Sequence, residues 1–457
     1  MRALTLCVFA LTGCGGDIGS SAPAFDYSAE SACTAGAVSR FVVGSHPVGP
    51  AFVGFGAQYN QNLHAAISRA AGITEAKAAA LEAPLASLSP EHVRIFFDSS
   101  ALTDSDLMQS FVRTVELAER SGATVNITFW HGPYPDPSAE MKAFADVLYD
   151  LVSKRNLAAV QFVTIQNEVN STKVTFAEYE HLYRLLDSDL HANGIRHRLK
   201  LIGGDLLLED QADWFSYLGR HMSDVLDGYS VHIYWDYRDT NKLVSRLTGV
   251  RALVEALPVT QRKPLYVTEF GVTGVMDAGE AAPGHIQGGG PVEGSALAAM
   301  QQAWFDILAA RLGYVATVRW DAYYAMYDHT PQHFTLIDES GRLNPGYHLL
   351  RMLSHVVDPG WHAVDVTGNS TDVVATAFEG AGQTSVLAVN TSTCTQTVHL
   401  EGLARNQKLY FIVWNSDGKG ELVAHARPST GSNGSLEVSL PARAALALST
   451  RLPGLGL

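Results

Sequence analysis

Between residues 51 and 325, short β-branched or aromatic runs alternate with longer segments of helical periodicity. The runs are AFVGFGAQ (51–58), HVRIFFD (92–98), TVNITFW (124–130), VQFVTIQNE (160–168), KLIGGDL (200–206), GYSVHIYW (228–235), PLYVTEFG (264–271) and ATVRWDAYY (316–324). Helix starts lie between them. Thr103 to Asp106 opens one helix, and TFAE at 175–178 supplies a capping box for the amphipathic stretch that follows. Eight apolar strands at spacings of roughly 30 to 50 residues, separated by helices, predict an α/β fold of the (β/α)8 TIM-barrel class. A doubly wound sheet is the alternative, but the GxGxxG fingerprint after a first strand is absent.

After about residue 357 the pattern changes to short alternating strands broken by Gly, Asn, Ser and Pro. DVVATAFEG, TSVLAVNTS, TQTVHLEG, KLYFIVWNSDGKGELVAHA, GSLEVSLP and AALALST are the segments concerned. They predict a small all-β sandwich of about 100 residues behind the barrel. The expected division is a barrel over 51–356 and a sandwich over 357–457.

Composition narrows the class. A chain of 457 residues is too long for one ordinary core, which a large barrel with a small companion domain accommodates. With 47% hydrophobic and 17% charged residues it reads as a packed globular protein. A net charge of −14 without any basic run argues against nucleic acid and against polyanionic substrates. No internal stretch reaches the roughly 18 uninterrupted apolar residues of a spanning helix. The 17 histidines include no HExxH and no close cluster with cysteine, so no metal centre and no cofactor is expected. A monomer is expected.

The first residues, MRALTLCVFALTGCGGDIGSS, carry one basic residue, a short apolar run and then small residues, which is the grammar of export. They resemble a bacterial lipoprotein signal: LTGC matches the lipobox, and the resemblance implies a signal over 1–13 with Cys14 acylated after cleavage. Membrane contact would then be through a lipid anchor only, at the cell surface or in the periplasm; an ordinary secretory signal is the alternative. Residues 14–32, rich in Gly, Ser and Ala, read as a tether. Of the four cysteines, Cys33 and Cys394 remain, and export invites a disulfide between them. Two unrelated buried thiols are the alternative. A bridge would lay residues 33–50 on the sandwich.

In a barrel, catalytic groups sit at the C-terminal ends of the strands. Gln166, Asn167 and Glu168 close strand four on this reading, and Glu269 closes strand seven. Glu269 stands between Val267 and Phe270, where an isolated carboxylate is costly to bury. It therefore has a function or a salt-bridge partner such as Arg94 or Arg319. Glycoside hydrolysis needs two carboxylates facing each other across a sugar, one to protonate the leaving oxygen and one to attack or activate water.

In that order and with those motifs, residues 51 to about 325 resemble glycoside hydrolase clan A. The resemblance implies a retaining enzyme acting on the β-glycosidic bonds of a neutral oligo- or polysaccharide. Glu168 would be the general acid/base and Glu269 the nucleophile, their carboxyl groups about 5 to 5.5 Å apart. Asn167 would bind the 2-hydroxyl of the reacting sugar. His232 and Tyr234 in VHIYW are similar to the clan's His-x-Tyr pair, with Tyr234 bonded to the nucleophile. Arg94 is similar to the strand-two arginine that keeps the nucleophile ionised, and Trp320 to the strand-eight aromatic under the sugar ring. Many members have Pro after the acid/base; this chain has Val169. The trailing sandwich is similar in layout to families thirty, thirty-nine, fifty-one and seventy-nine.

Two aromatic-rich loops, WHGPYPDP with Trp130 and His131, and YYAMYDHTPQHF, read as sugar platforms, with ordinary packing as the alternative. The long Gly-rich loop MDAGEAAPGHIQGGGPVEGS reads as a mobile rim or an insertion. A non-catalytic carbohydrate-binding lipoprotein on the same scaffold is the other functional reading. It would keep the aromatics but would not need both glutamates and Asn167. A nucleophilic Ser elbow, GxSxG, is absent.

Overall fold

A parallel strand covered on both faces needs apolar residues at consecutive positions, not alternate ones. The runs that carry such residues form the barrel. The computed structural model describes residues 38–455 except 131, 133, 208–210, 241, 277–290, 328–329, 332–333, 369, 371, 416–421 and 452. Strand β1 (Val38–Pro47) precedes the barrel and belongs to a second sheet. The barrel closes in chain order through β2 (Gly54–Tyr59), β3 (His92–Asp98), β4 (Thr124–Trp130), β5 (Val160–Ile165), β6 (Lys200–Leu206), β7 (Gly228–Asp236), β8 (Leu265–Thr273) and β9 (Ala316–Arg319), with β9 pairing back to β2. All six residues of β2 and all four of β9 are buried.

Two strand boundaries differ from the sequence expectation, and both bear on the site. Strand β5 stops at Ile165, so Gln166 to Glu168 lie in a turn beyond it. Strand β8 does not end at Glu269; it continues to Thr273 because it stays paired with β7 as far as Asp236. A register shift between Val231 and His232 sets His232 directly opposite Glu269. Such irregularities re-aim side chains at strand ends. The helix expected near Thr103 runs over Ser105–Arg120 with Asp104 as its N-cap, and Thr175 with Glu178 forms the capping box of helix Phe176–Ala192.

A hairpin of β10 (Met326–Tyr327) and β11 (Thr330–Pro331) follows the barrel. The second sheet comprises β1 with β12 (His362–Thr367), β13 (Val373–Gly380), β14 (Gln383–Asn390), β15 (Gln396–Glu401), β16 (Tyr410–Asn415), β17 (Leu422–His425), β18 (Leu436–Leu440) and β19 (Ala444–Ser449). Its order is β17-β16-β19-β14-β13-β12-β1-β15-β18. The run KLYFIVWNSDGKGELVAHA divides into β16 and β17, and β12 has no counterpart among the runs read as strands. The sheet folds over its own apolar face: Phe41, Val43, Val366, Ala375, Val398, Leu400, Val438 and Leu446 share one core cluster.

The other face meets the barrel. Val374 and Phe378 of β13, Leu387 and Val389 of β14, and Trp414 of β16 join the barrel's own core. The Phe378 ring lies 5.0 Å from Phe52 and 5.9 Å from Phe55. Helix Ala296–Arg311, buried almost throughout, is apolar all round because it lies between barrel strands and this sheet. β1 runs parallel to β15 with Val38 opposite Thr397. Cys394 is disulfide-bonded. Cys33, like Cys14, the signal and the tether, lies outside the described residues.

Candidate active site

The turn after β5 is unusual in its backbone. Gln166 has φ of 65° and Glu168 φ of 49°, in the left-handed region that L side chains seldom adopt. The surroundings hold it there. The Gln166 N–H donates to the Phe129 carbonyl at 2.8 Å, the Tyr134 hydroxyl donates to Gln166 Oε1 at 2.5 Å, and Gln166 Nε2 donates to the Asn167 carbonyl at 3.1 Å. The result turns Asn167 and Glu168 over the mouth of the barrel.

Arg94, fully buried on β3, is the hub. Its Nε donates to Thr128 Oγ1 at 2.9 Å; Nη1 donates to Glu269 Oε2 at 2.7 Å and Gln58 Oε1 at 3.3 Å; Nη2 donates to Asn167 Oδ1 and Asp205 Oδ2, each at 2.7 Å. All five guanidinium N–H groups are engaged, which a lysine could not reproduce. Burial opposes its charge, but Asp205 and Glu269 outweigh burial and keep it protonated. Arg94 thus reaches any ligand through Glu269 and Asn167 rather than directly.

Glu269 accepts twice, from Arg94 at Oε2 and from the Tyr234 hydroxyl at Oε1, 2.7 Å each. The pairing partner is Arg94 and not Arg319. Glu168 is more open, its side chain 24% exposed against 7% for Glu269. His232 Nδ1 lies 3.2 Å from Glu168 Oε1 and 3.9 Å from Glu269 Oε1. One oxygen from each glutamate and one nitrogen of His232 all lie within 4.8 Å of one another. Two carboxylates and an imidazole could ligate a cation, but the Arg94 guanidinium already supplies the counter-charge to Glu269.

Asp205, at the end of β6, was not singled out from the sequence. It is fully buried, with φ of 46°. Besides Arg94 it accepts from the hydroxyls of Ser230 at 2.7 Å and Thr268 at 2.5 Å, and its Oδ2 lies 3.5 Å from His232 Nε2. Burial alone would raise its pKa; Arg94, His232 and Thr268 together hold it below the ordinary carboxylate range. Burial would lower the His232 imidazole, yet the surrounding Glu269, Asp205 and Glu168 raise it to about 9. The signal for Asp205 was present: an acid set into the C-terminal half of an apolar barrel strand, as with Glu269.

Aromatic rings line the other side. Trp320 stacks on Tyr327 with centroids 4.8 Å apart, and Trp130 stacks on Phe96 at 4.7 Å; Phe96 in turn lies 6.0 Å from Trp320. Trp130 and Trp320 are half-buried. Asp321, next to Trp320, is fully buried, and neither carboxyl oxygen has a hydrogen-bond partner among the described residues. Burial raises its pKa well above the carboxylate range, keeping it neutral. Thus Glu168, Glu269, Asn167, Arg94, His232 and Tyr234 come together, with Trp130 and Trp320 on the flank; His131 lies outside the described residues.

No protein-family model and no curated protein matches the sequence. Solved structures do. A GH30 endoxylanase from Clostridium papyrosolvens C71 aligns with a TM-score of 0.64 at 14% identity, over 91% of this chain and 100% of that one. The catalytic domain of GH30 xylanase C from Talaromyces cellulolyticus aligns at 0.65 and 15%, over 90% and 99%. A glucosidase from Croceicoccus marinus aligns at 0.60 and 13%, over 90% and 98%. The fold is that of the clan A glycoside hydrolases. The clan A likeness spans the barrel and the second sheet together, so the two-part architecture is shared as a whole.

Proposed function

We propose that the protein is an exported, retaining glycoside hydrolase that cleaves β-glycosidic bonds of a neutral oligo- or polysaccharide with Glu269 as nucleophile and Glu168 as general acid/base. The observation that carries this reading is the paired carboxylates: oxygens within 4.8 Å across the barrel mouth, in two different environments. Carboxylates that approach this closely at one oxygen fit the spacing of about 5 to 5.5 Å between the groups of a retaining pair better than the wider spacing, about 6.5 to 9.5 Å, that admits a water.

Both bonds to Glu269, from Arg94 and Tyr234, are satisfied by the carboxylate form, the form that attacks an anomeric carbon. As the glycosidic bond breaks, Glu168 gives its proton to the leaving oxygen. The ester formed on Glu269 has lost its negative charge, so Glu168 can then take a proton from water, and that water frees the sugar with its original configuration. His232 beside Glu168 fixes the position of its carboxyl group. Asn167, whose carbonyl oxygen is tied to Arg94, turns its amide donors to the 2-hydroxyl, and Trp320, backed by Tyr327, floors the ring. A net charge of −14 agrees with a neutral substrate, and the LTGC motif supports export and anchoring through Cys14.

The test is stereochemical. Glu168→Ala should slow poor leaving groups on the order of a thousandfold while sparing the first step with activated aryl β-glycosides, and azide should rescue it to a β-glycosyl azide. Glu269→Ala should lose turnover of every substrate, with azide giving the α product. Exchanged products would reverse the two roles. If neither substitution changes hydrolysis of any glycoside in a broad panel, the enzyme reading fails.

A further inference from the structure

The run YYAMYDHTPQHF sends neighbouring aromatic side chains to opposite sides. Tyr323 turns inward: its ring lies 5.3 Å from Tyr59, and its hydroxyl donates to the Asn60 carbonyl at 3.2 Å. Tyr324 turns outward and is half-buried, its N–H donating to the Ile337 carbonyl at 3.1 Å. It walls a hollow of about 760 Å³. The opposite wall is formed by helices Glu75–Ala80 and Glu82–Leu88, on the connection from β2 to β3. Among the described residues the hollow takes no wall from Glu168, Asn167, Glu269, Trp130 or Trp320, so it is separate from the cleft.

Ile73, Leu81 and Ile337 are buried and give the hollow an apolar floor. Around it stand the Lys77 ammonium, the Tyr324 hydroxyl and the Glu339 carboxylate. Among the described residues, no hydrogen bond or ion pair takes up any of these three ends. Asp338 differs. Its Oδ1 accepts from the N–H groups of Ser340 at 2.9 Å and Arg342 at 3.0 Å, and its Oδ2 from Arg342 Nε at 2.9 Å, so this carboxylate is occupied in holding the turn that carries Glu339. Burial, and next the Glu339 charge, raise the pKa of the Tyr324 phenol, which stays a neutral hydroxyl. A ligand of either charge would meet a like charge here, and Asp338 adds a second negative one. Hydroxyls suit all three free ends, because each hydroxyl both donates and accepts. The floor and the Tyr324 ring in turn suit C–H surfaces. A sugar presents both, and the volume falls within the range of about 300 to 1,000 Å³ of ordinary ligand pockets.

We propose that this hollow is a second carbohydrate site, outside the cleft, which holds a neutral β-linked polysaccharide on the protein while another stretch of the polymer is cut. The choice of polymer rests on the functional reading above; the binding itself needs neither Glu168 nor Glu269.

The test separates binding from turnover. Affinity electrophoresis of the full chain through gels of soluble β-glucan, β-mannan and β-xylan gives a Kd for each. At least one of them should retard the wild type. Tyr324→Ala should weaken that retention about tenfold, and Lys77→Ala, on an exposed helix face, about threefold. Both variants should raise KM for that polysaccharide by similar factors at unchanged kcat, while hydrolysing a nitrophenyl β-glycoside within about twofold of wild type. Retention that neither variant alters, or no retention by any of the three glycans, overturns the second site and leaves the glycosidase reading standing. So does equal loss on the polysaccharide and the aryl glycoside in correctly folded variants. A wild type that hydrolyses no glycoside, yet is held by a glycan through Tyr324 and Lys77, overturns the catalytic reading and upholds the second site. If Tyr324→Ala fails to fold by circular dichroism, Lys77→Ala and Glu339→Gln decide.

Discussion

Asp205 and Asp321 are both fully buried acids within one site, and their surroundings demand opposite charges. Asp205 faces Arg94, His232 and two hydroxyl donors, so it is held as a carboxylate; Asp321 has no partner for either oxygen among the described residues and is held neutral. Removing a charge from a closed buried network strands its partners. Asp205→Asn should therefore destabilise the fold by about 3 to 5 kcal/mol in urea unfolding. Asp321→Asn removes a group that only the unfolded chain ionises, so its stability relative to wild type should rise between about pH 4 and 7. A relative fall over that range would mean that Asp321 is charged in the fold. His232 supplies a second pH signature. Its pKa is raised from 6.5 to about 9, so its contribution is complete below about 6.5 and is lost as pH rises through about 9. The wild type should lose on the order of 3 kcal/mol of unfolding free energy over that interval from this group, and His232→Gln should flatten that part of the curve.

At the scale of elements, the β7–β8 pair sets the nucleophile. Tyr234 stands opposite Gly271, and a Cβ there would come within 2.8 Å of the Tyr234 ring. The backbone of Gly271 needs no left-handed conformation; the glycine is there for room. Gly271→Ala should push the phenol off Glu269 and cost about 10- to 100-fold in kcat with the fold intact. Tyr234→Phe should cost about as much, because both remove the same 2.7 Å bond. A Gly271→Ala enzyme of wild-type rate would show that the ring is not displaced. The turn after β5 works differently, through strained backbone at Gln166 and Glu168 that Tyr134 and Phe129 hold in place.

In the whole molecule, the barrel and the second sheet share one apolar core through β13, β14, β16 and β19 and the buried helix Ala296–Arg311. Two parts joined this way should unfold together. Calorimetry should show a single transition, and Phe378→Ala, emptying the contact with Phe52 and Phe55, should lower all of it by about 3 to 5 kcal/mol. Two separated transitions, with only the later strands affected, would mean that the sheet folds by itself. Removing β1 should be equally global, since it bridges β12 and β15.

What the sequence determined by itself was whatever depends on local periodicity: eight apolar strands separated by helices, a later all-β region, and polar groups following β5 and interrupting β8. Those patterns are legible because a buried strand and an amphipathic helix each impose their own spacing on the chain. Pairing decided the rest. Where β8 ends depends on how far β7 stays beside it, and that register, not the local run, puts His232 opposite Glu269. Asp205 has the same local signature as Glu269, but its role as the charge beneath Arg94 and His232 comes from residues 111 and 27 positions away in the chain, distances across which only the closed barrel makes neighbours. Likewise β12 and β1 are ordinary runs by sequence, and become strands because each is paired on both sides within the sheet, β12 between β13 and β1 and β1 between β12 and β15, which satisfies their backbone groups.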